Sequence, residues 1–222
     1  MRVILFGATG MVGQGVLREC LLDPQVDLVE TIGRTATGVT DPKVKDVAHA
    51  DLFHYADIEA ELSGFDACFF CLGGSAAGMT EAEYERLTYQ LTIAAARALC
   101  KLNPQMTFVY VSGTGTDSTE KGSIAWARVK GKTENELLGM PFKAAYMFRP
   151  GVIQPMHGEV SKTRLYRVLY SVTKPLLPLL QRLAPHYFLT TEQIGRAMIN
   201  VVRKGAPKGV LEISDIRDAA KS

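Results

Sequence analysis

The sequence predicts an α/β fold with a doubly wound, mostly parallel sheet flanked by helices. Three observations carry this: short apolar runs alternate with helical stretches, several runs are nearly continuous in apolar residues, and a glycine-rich turn follows the first run. A strand buried on both faces has no polar side to show, so unbroken apolar runs mark a covered parallel sheet. Alternation with helices supplies the cover.

In chain order, strands are expected over 2–6, 28–33, 44–49, 67–72, 107–112, 144–149 and 210–214. The clearest helix opens at Thr80, where Thr80 and Glu83 have capping-box spacing. It continues through Tyr84, Leu87, Leu91, Ala94 and Ala98, at the spacings of one buried helix face. A closing helix starts at Thr191-Glu192-Gln193. The expectation is one dinucleotide-binding domain over 1–222, with a small helical substrate or lid lobe at about 151–190.

Composition narrows the class. The 222 residues carry 25 Lys and Arg against 23 Asp and Glu, a net charge of +2 that gives no general case for nucleic-acid binding. A hydrophobic content of 47% with 22% charged residues excludes a disordered chain. No run is long enough for a signal peptide or a membrane span. Cys68 and Cys71 form a C-x-x-C inside a strand, where positions three apart point to opposite faces, so neither metal nor disulfide is expected. The other two cysteines, Cys20 and Cys100, and the four histidines show no ligand spacing. A reduced, cytoplasmic protein is expected.

The glycine turn reads Gly7-Ala8-Thr9-Gly10-Met11-Val12-Gly13, between the first strand and a helix that runs through Leu22. Glycines there let the chain turn sharply and bring backbone N–H groups against a pyrophosphate, while the helix N-terminus supplies partial positive charge. This is the Rossmann arrangement, and its context of strand before and helix after gives the spacing its weight. The second strand ends Glu30-Thr31-Ile32-Gly33-Arg34-Thr35. Arg34, with Thr35 beside it as a second donor, suits the 2′-phosphate of NADP; Glu30 lies too far inside the strand to serve an NAD ribose. NADP is therefore expected over NAD.

These residues, with Ala50-Asp51-Leu52, Cys71-Leu72-Gly73-Gly74, Val111-Ser112-Gly113, Lys130 and Phe148-Arg149-Pro150-Gly151, resemble the atypical and extended short-chain dehydrogenase/reductases, including epimerase-like and NmrA-like members. The resemblance covers nearly the whole chain. It implies that Asp51 and Leu52 border the adenine, that Leu72 and Gly73, after Cys71, line the central ribose, and that Pro150 and Val152 lie near the nicotinamide. It also implies a catalytic serine at Ser112 and a Tyr-x-x-x-Lys on the next helix, where Lys130 matches the lysine and would also hold the nicotinamide ribose.

The position four residues before Lys130 is Trp126. An indole N–H donates a hydrogen bond but has no accessible pKa, so it cannot replace the tyrosine as acid or base. Two readings follow: an NADP-dependent oxidoreductase or epimerase-like enzyme on a small carbonyl or hydroxyl substrate, or a catalytically weak NADP-binding redox sensor or interaction protein. Tyr146, Tyr166, Tyr170 and Tyr187 fall in or near the region expected to face the substrate. Between Glu159 and Glu192 the chain has basic but no acidic residues, Lys162, Arg164, Arg167, Lys174 and Arg182, beside an apolar pattern of Leu165, Val168, Leu169 and Val172. A substrate lid is the first reading of this stretch, a dimer or partner surface the second and membrane-surface docking a distant third. A monomer or homodimer without nucleic-acid partner or integral membrane segment is expected.

Overall fold

The computed structural model describes residues 1–159 and 187–221. Seven strands, β1 (Arg2–Phe6), β2 (Leu28–Gly33), β3 (Val44–Ala48), β4 (Ala67–Phe70), β5 (Thr107–Val111), β6 (Ala144–Phe148) and β9 (Val210–Leu211), form one sheet in the order β3-β2-β1-β4-β5-β6-β9. Every pairing in it is parallel. The order reverses between β1 and β4, the switch point at which such sheets open a crevice.

Alternate residues of each strand feed two cores. Val3, Leu5, Val29, Phe69 and Phe148 pack under α1 (Met11–Leu22), α5 (Thr191–Lys204) and α6 (Ile213–Ala219). Ile4, Phe6, Ile32, Phe70, Phe108 and Tyr110 pack under α3 (Leu91–Leu102) and α4 (Ala125–Gly139), where Phe6 stacks on Phe70 at 5.0 Å. Cys68 joins the second core and Cys71 packs against the first, so the two thiols face opposite sides as the strand period requires.

Six elements depart from the sequence expectation, one helix and five strands. The Thr80 capping box forms and opens α2 (Glu81–Glu85), but a π turn, Arg86–Gln90, separates it from α3. The extra residue per turn rotates the buried stripe by one position: Thr88 is 6% exposed and Leu87, expected inside, is 47% exposed. The last strand stops at Leu211, because Glu212 and Asp215 form a capping box that starts α6; Ser214 is therefore helical. The strands over 44–49, 67–72, 107–112 and 144–149 each end one or two residues early, releasing His49, Cys71, Leu72, Ser112 and Arg149 to the loops above the sheet.

A second, two-stranded parallel sheet pairs β7 (Val152–Gln154) with β8 (Phe188–Thr190). It brackets the basic stretch, of which residues 160–186 lie outside the described residues. At its far side Glu159 accepts the N–H groups of Met156 at 2.9 Å and His157 at 2.7 Å and takes the Thr191 hydroxyl at 3.3 Å, fixing the entry to α5. No helix among the described residues is long and apolar enough to cross a membrane.

Candidate functional site

Strand register places the implicated loops in one row. Phe6 is level with Ile32 on one side and Phe70 on the other, and Phe70 is level with Tyr110. The glycine turn, Arg34, Cys71-Leu72-Gly73, Ser112 and Arg149-Pro150 consequently all leave the same edge of the sheet. His49 joins them, its N–H bonded to the Gly33 carbonyl at 2.8 Å, and carries the chain to Asp51.

At the switch point the glycines are required by close approach. Gly7 adopts a φ of +78°, and a Cβ there would lie 2.7 Å from the backbone of Cys71 and Leu72. A Cβ on Gly13 would lie 2.1 Å from the Gly7 carbonyl oxygen. The turn closes with the Gly10 N–H donating to Gly7 at 2.9 Å, and α1 begins with the Gln14 N–H donating to Gly10 at 2.8 Å. The N–H groups of Met11, Val12 and Gly13 thus have no acceptor in a preceding turn. No side chain caps this end and its first turn holds no acidic residue, so the partial positive charge is left for an anion. The Thr9 carbonyl is held by Gln14 at 3.0 Å.

Around this cradle, Arg34 and Thr35 are exposed, and the Arg34 guanidinium makes no ion pair with described residues. Asp51 is exposed and accepts the Phe53 N–H at 2.9 Å and His54 at 2.8 Å, which hold its carboxyl below the usual range. The Leu52 side chain points into the core, so only its backbone borders the edge. Cys71 and Leu72 are half-buried, and Gly73 has open space around its Cα. Pro150 is buried, whereas Val152 is exposed on β7.

The implied catalytic residues are arranged unlike a serine-tyrosine-lysine set. Ser112 is buried, and its hydroxyl is engaged by the Glu134 carboxylate and the Phe148 carbonyl, the latter at 3.0 Å, both on the protein side. Glu134 is fully buried, and the Arg149 Nε reaches both its oxygens at 3.1 Å. Arg149 continues to Ser118 at 2.5 Å and Glu212 at 3.2 Å. Sequence reasoning assigned no role to Glu134 or Arg149, although Glu134 sits one helical turn beyond Lys130 on the same face.

Lys130 donates to the Ser112 carbonyl at 2.6 Å and lies 5.8 Å from the Tyr110 ring centre. Burial pushes its ammonium down to about 8, against the pull of Glu134. Trp126 is half-buried one turn earlier, its ring edge against Gly115. Of the tyrosines, Tyr146 is spent elsewhere: it is in the core, and its hydroxyl accepts the Ala206 N–H beyond the end of α5. Tyr187 is 60% exposed beside Gly151; Tyr166 and Tyr170 lie outside the described residues.

The Lys130 environment makes a pH prediction. With a folded value depressed to about 8, the folded chain releases this proton before the unfolded chain, whose lysine titrates near about 10.4. The desolvation cost is therefore fully present below pH 8 and is relieved as pH rises through that window. Lys130→Met should be more stable than wild type at pH 7 and should lack the wild type's gain between pH 8 and 10, read from urea midpoints. Parallel curves would refute the buried ammonium.

Comparison with solved structures agrees with the topology. WbmF of Bordetella bronchiseptica, in complex with NAD+, matches with a TM-score of 0.68 at 15% identity, covering 99% of this chain and 76% of that one. A short-chain dehydrogenase family protein of Francisella tularensis matches with a TM-score of 0.67 at 16% identity over 96% of both chains. The fold is thus that of the short-chain dehydrogenases and epimerases. No family model matches the chain. Among curated proteins, FMP52-2 of Scheffersomyces stipitis is 28% identical over 218 residues, 94% of this chain and 90% of its own length. Fmp52-1 of Aspergillus terreus is 32% identical over 163 residues, 71% of this chain and 68% of its own length.

Both are named as mitochondrial, which overturns the cytoplasmic expectation. The four free thiols fit a mitochondrial compartment as well as a cytoplasmic one. With a relative at 32% identity over 71% of this chain and 68% of its own length, the chain belongs to the FMP52 family.

Proposed function

We propose that this chain binds a nicotinamide dinucleotide, NADP in preference to NAD, in a mitochondrial setting, and acts as a redox-state sensor or interaction protein. It would not work as a standard carbonyl reductase. The observation that carries this is the catalytic edge: Trp126 stands where the acid/base tyrosine belongs, and the Ser112 hydroxyl is turned away to Glu134 and Phe148. The cradle fits the cofactor, since Gly7 and Gly13 let the turn close tightly against the Cys71–Leu72 backbone and the start of α1, whose N-terminus is uncapped and open to a pyrophosphate. NAD+ in WbmF supports the dinucleotide, the names of the FMP52 relatives support the compartment, and exposed Arg34 supports the 2′-phosphate.

When bound, the dinucleotide supplies or accepts a hydride. What this chain lacks is the partner proton at tyrosine strength, a contribution of roughly 10²–10⁴-fold in rate. One observation favours a second reading, an oxidoreductase or epimerase-like enzyme: the Lys130 ammonium, near neutral in its titration, could give a proton to a substrate oxygen.

The test is NADPH oxidation over a panel of aldehydes and ketones. The native protein should bind NADPH with little or no turnover, and Trp126→Tyr should raise turnover by about 10²-fold. Native turnover at an ordinary enzymatic rate, about 1 per second or more, would establish the enzyme reading instead.

A further inference from the structure

In this fold the second and third strands are ordinarily joined through a helix, because a parallel crossover needs length and cover. Here β2 passes to the edge strand β3 through residues 34–43 with no helix at all. Arg34 and Thr35, the residues read above as selecting the phosphate, therefore ride on a loop that must be shaped by something else.

The geometry points to Asp46 as the residue that shapes this loop and, through it, sets the preference for the phosphorylated dinucleotide. Asp46 lies on β3 in register with Thr31 of β2 and accepts the Thr31 hydroxyl across the pair. Its carboxylate reaches up to the loop. It accepts the Thr37 N–H at 3.0 Å, the Thr37 hydroxyl at 2.9 and 3.0 Å, and the Gly38 N–H at 3.3 Å. Gly38 takes a φ of +74°, so the chain doubles back over the carboxylate at that point. Lys43 secures the far end, donating to the carbonyls of Leu21 at 3.1 Å and Asp23 at 2.8 Å at the C-terminal end of α1.

Between the end of β2 and the Asp46 anchor only residues 34–36 are left to vary. That span is too short to wander, which is how a group that never touches the ligand can hold Arg34 at the mouth of the cradle. A carboxylate that collects several donors forms charge-assisted bonds, the stronger kind. Asp46 is thus a positioning residue. Its charge and its anchoring act in opposite directions on a bound 2′-phosphate. Removing a nearby anion favours the phosphate, whereas freeing the loop disfavours it, so the sign of the effect identifies the cause.

The inference rests on the reading of Arg34 as the phosphate-binding residue, and the test separates the two. Affinities of the full chain for NADPH and NADH are measured by titration calorimetry for wild type, Arg34→Ala, Asp46→Asn and Thr37→Val. Amide exchange is followed at Thr37 and Gly38, and melting curves show that each variant is folded. Arg34→Ala should weaken NADPH by about tenfold or more while sparing NADH. Asp46→Asn should lower the NADPH-to-NADH preference by about tenfold, the scale of one charged hydrogen bond, and speed exchange at both amides. Thr37→Val should do the same to a smaller extent and leaves β3 untouched, so it decides the matter if Asp46→Asn does not fold. A selective Arg34→Ala effect with an unchanged or increased preference in the Asp46 and Thr37 variants overturns the inference alone. Equal losses of both dinucleotides in Arg34→Ala overturn the NADP reading, and the inference with it.

Discussion

Gly13→Ala is expected to destabilise the fold by about 3 kcal/mol or more and to abolish the proposed dinucleotide binding together with that loss. The added methyl would lie 2.1 Å from the Gly7 carbonyl oxygen, 2.6 Å from its carbon and 2.9 Å from the Ala8 Cα. All three are backbone atoms, so no side chain can swing aside, and α1 must lift from β1 to make room. Lifting it disturbs the packing of Val16, Leu17 and Cys20, all in the first core. It also moves the free N–H groups at the start of α1. Gly73→Ala is the control, because a Cβ there meets nothing within 4 Å. Its urea midpoint should stay within about 0.5 kcal/mol of wild type. If Gly13→Ala unfolds at the wild-type midpoint, the close approach of the turn to the helix is wrong.

Arg149→Ala should cost about 3–5 kcal/mol, the penalty for stranding a buried charge. Arg149 is the cation that faces Glu134, whose side chain is 1% exposed, and it is itself only 12% exposed. Truncation leaves the carboxylate with the Ser112 hydroxyl and takes the support from Ser118 and Glu212. The arginine ties α4, the loop after β5 and the start of α6 to the end of β6, so its loss should lower the urea midpoint steeply. The pair itself need not be a net stabiliser. A Glu134→Leu, Arg149→Met double variant should return to within about 1–2 kcal/mol of wild type, and the double-mutant cycle should show strong coupling. A cost under about 1 kcal/mol for Arg149→Ala would mean that water reaches Glu134 and that the network is not buried.

The two effects differ in how readable they were beforehand. The glycine turn announces itself, because backbone crowding leaves only one residue type that fits, and the buried strands announce themselves as unbroken apolar runs. The Ser112–Glu134–Arg149 network could not be read in the same way. A serine after the fifth strand has the same letter whether its hydroxyl faces a ligand or turns inward, and rotamer choice depends on partners distant in sequence. The π turn escaped because apolar spacing assumes a constant helical repeat, and Leu87 fits that repeat while standing outside it. The start of α6 is hidden because Leu211-Glu212-Ile213-Ser214 alternates like a strand, although Glu212 and Asp215 are spaced as a cap. Asp46, a carboxylate in the middle of an edge strand, was the kind of local inconsistency that marks a purpose.

The indole four residues before Lys130 would also make the protein an optical gauge of the proposed ligand. Trp126 is the only tryptophan in the chain, so its emission comes from one known place. Indole emits where the reduced nicotinamide ring absorbs and the oxidised ring does not. A reduced dinucleotide seated at the edge of the sheet would therefore drain that fluorescence, while the oxidised form would drain it far less. If the proposed dinucleotide binds there, occupancy and redox state could be followed together in solution without a label.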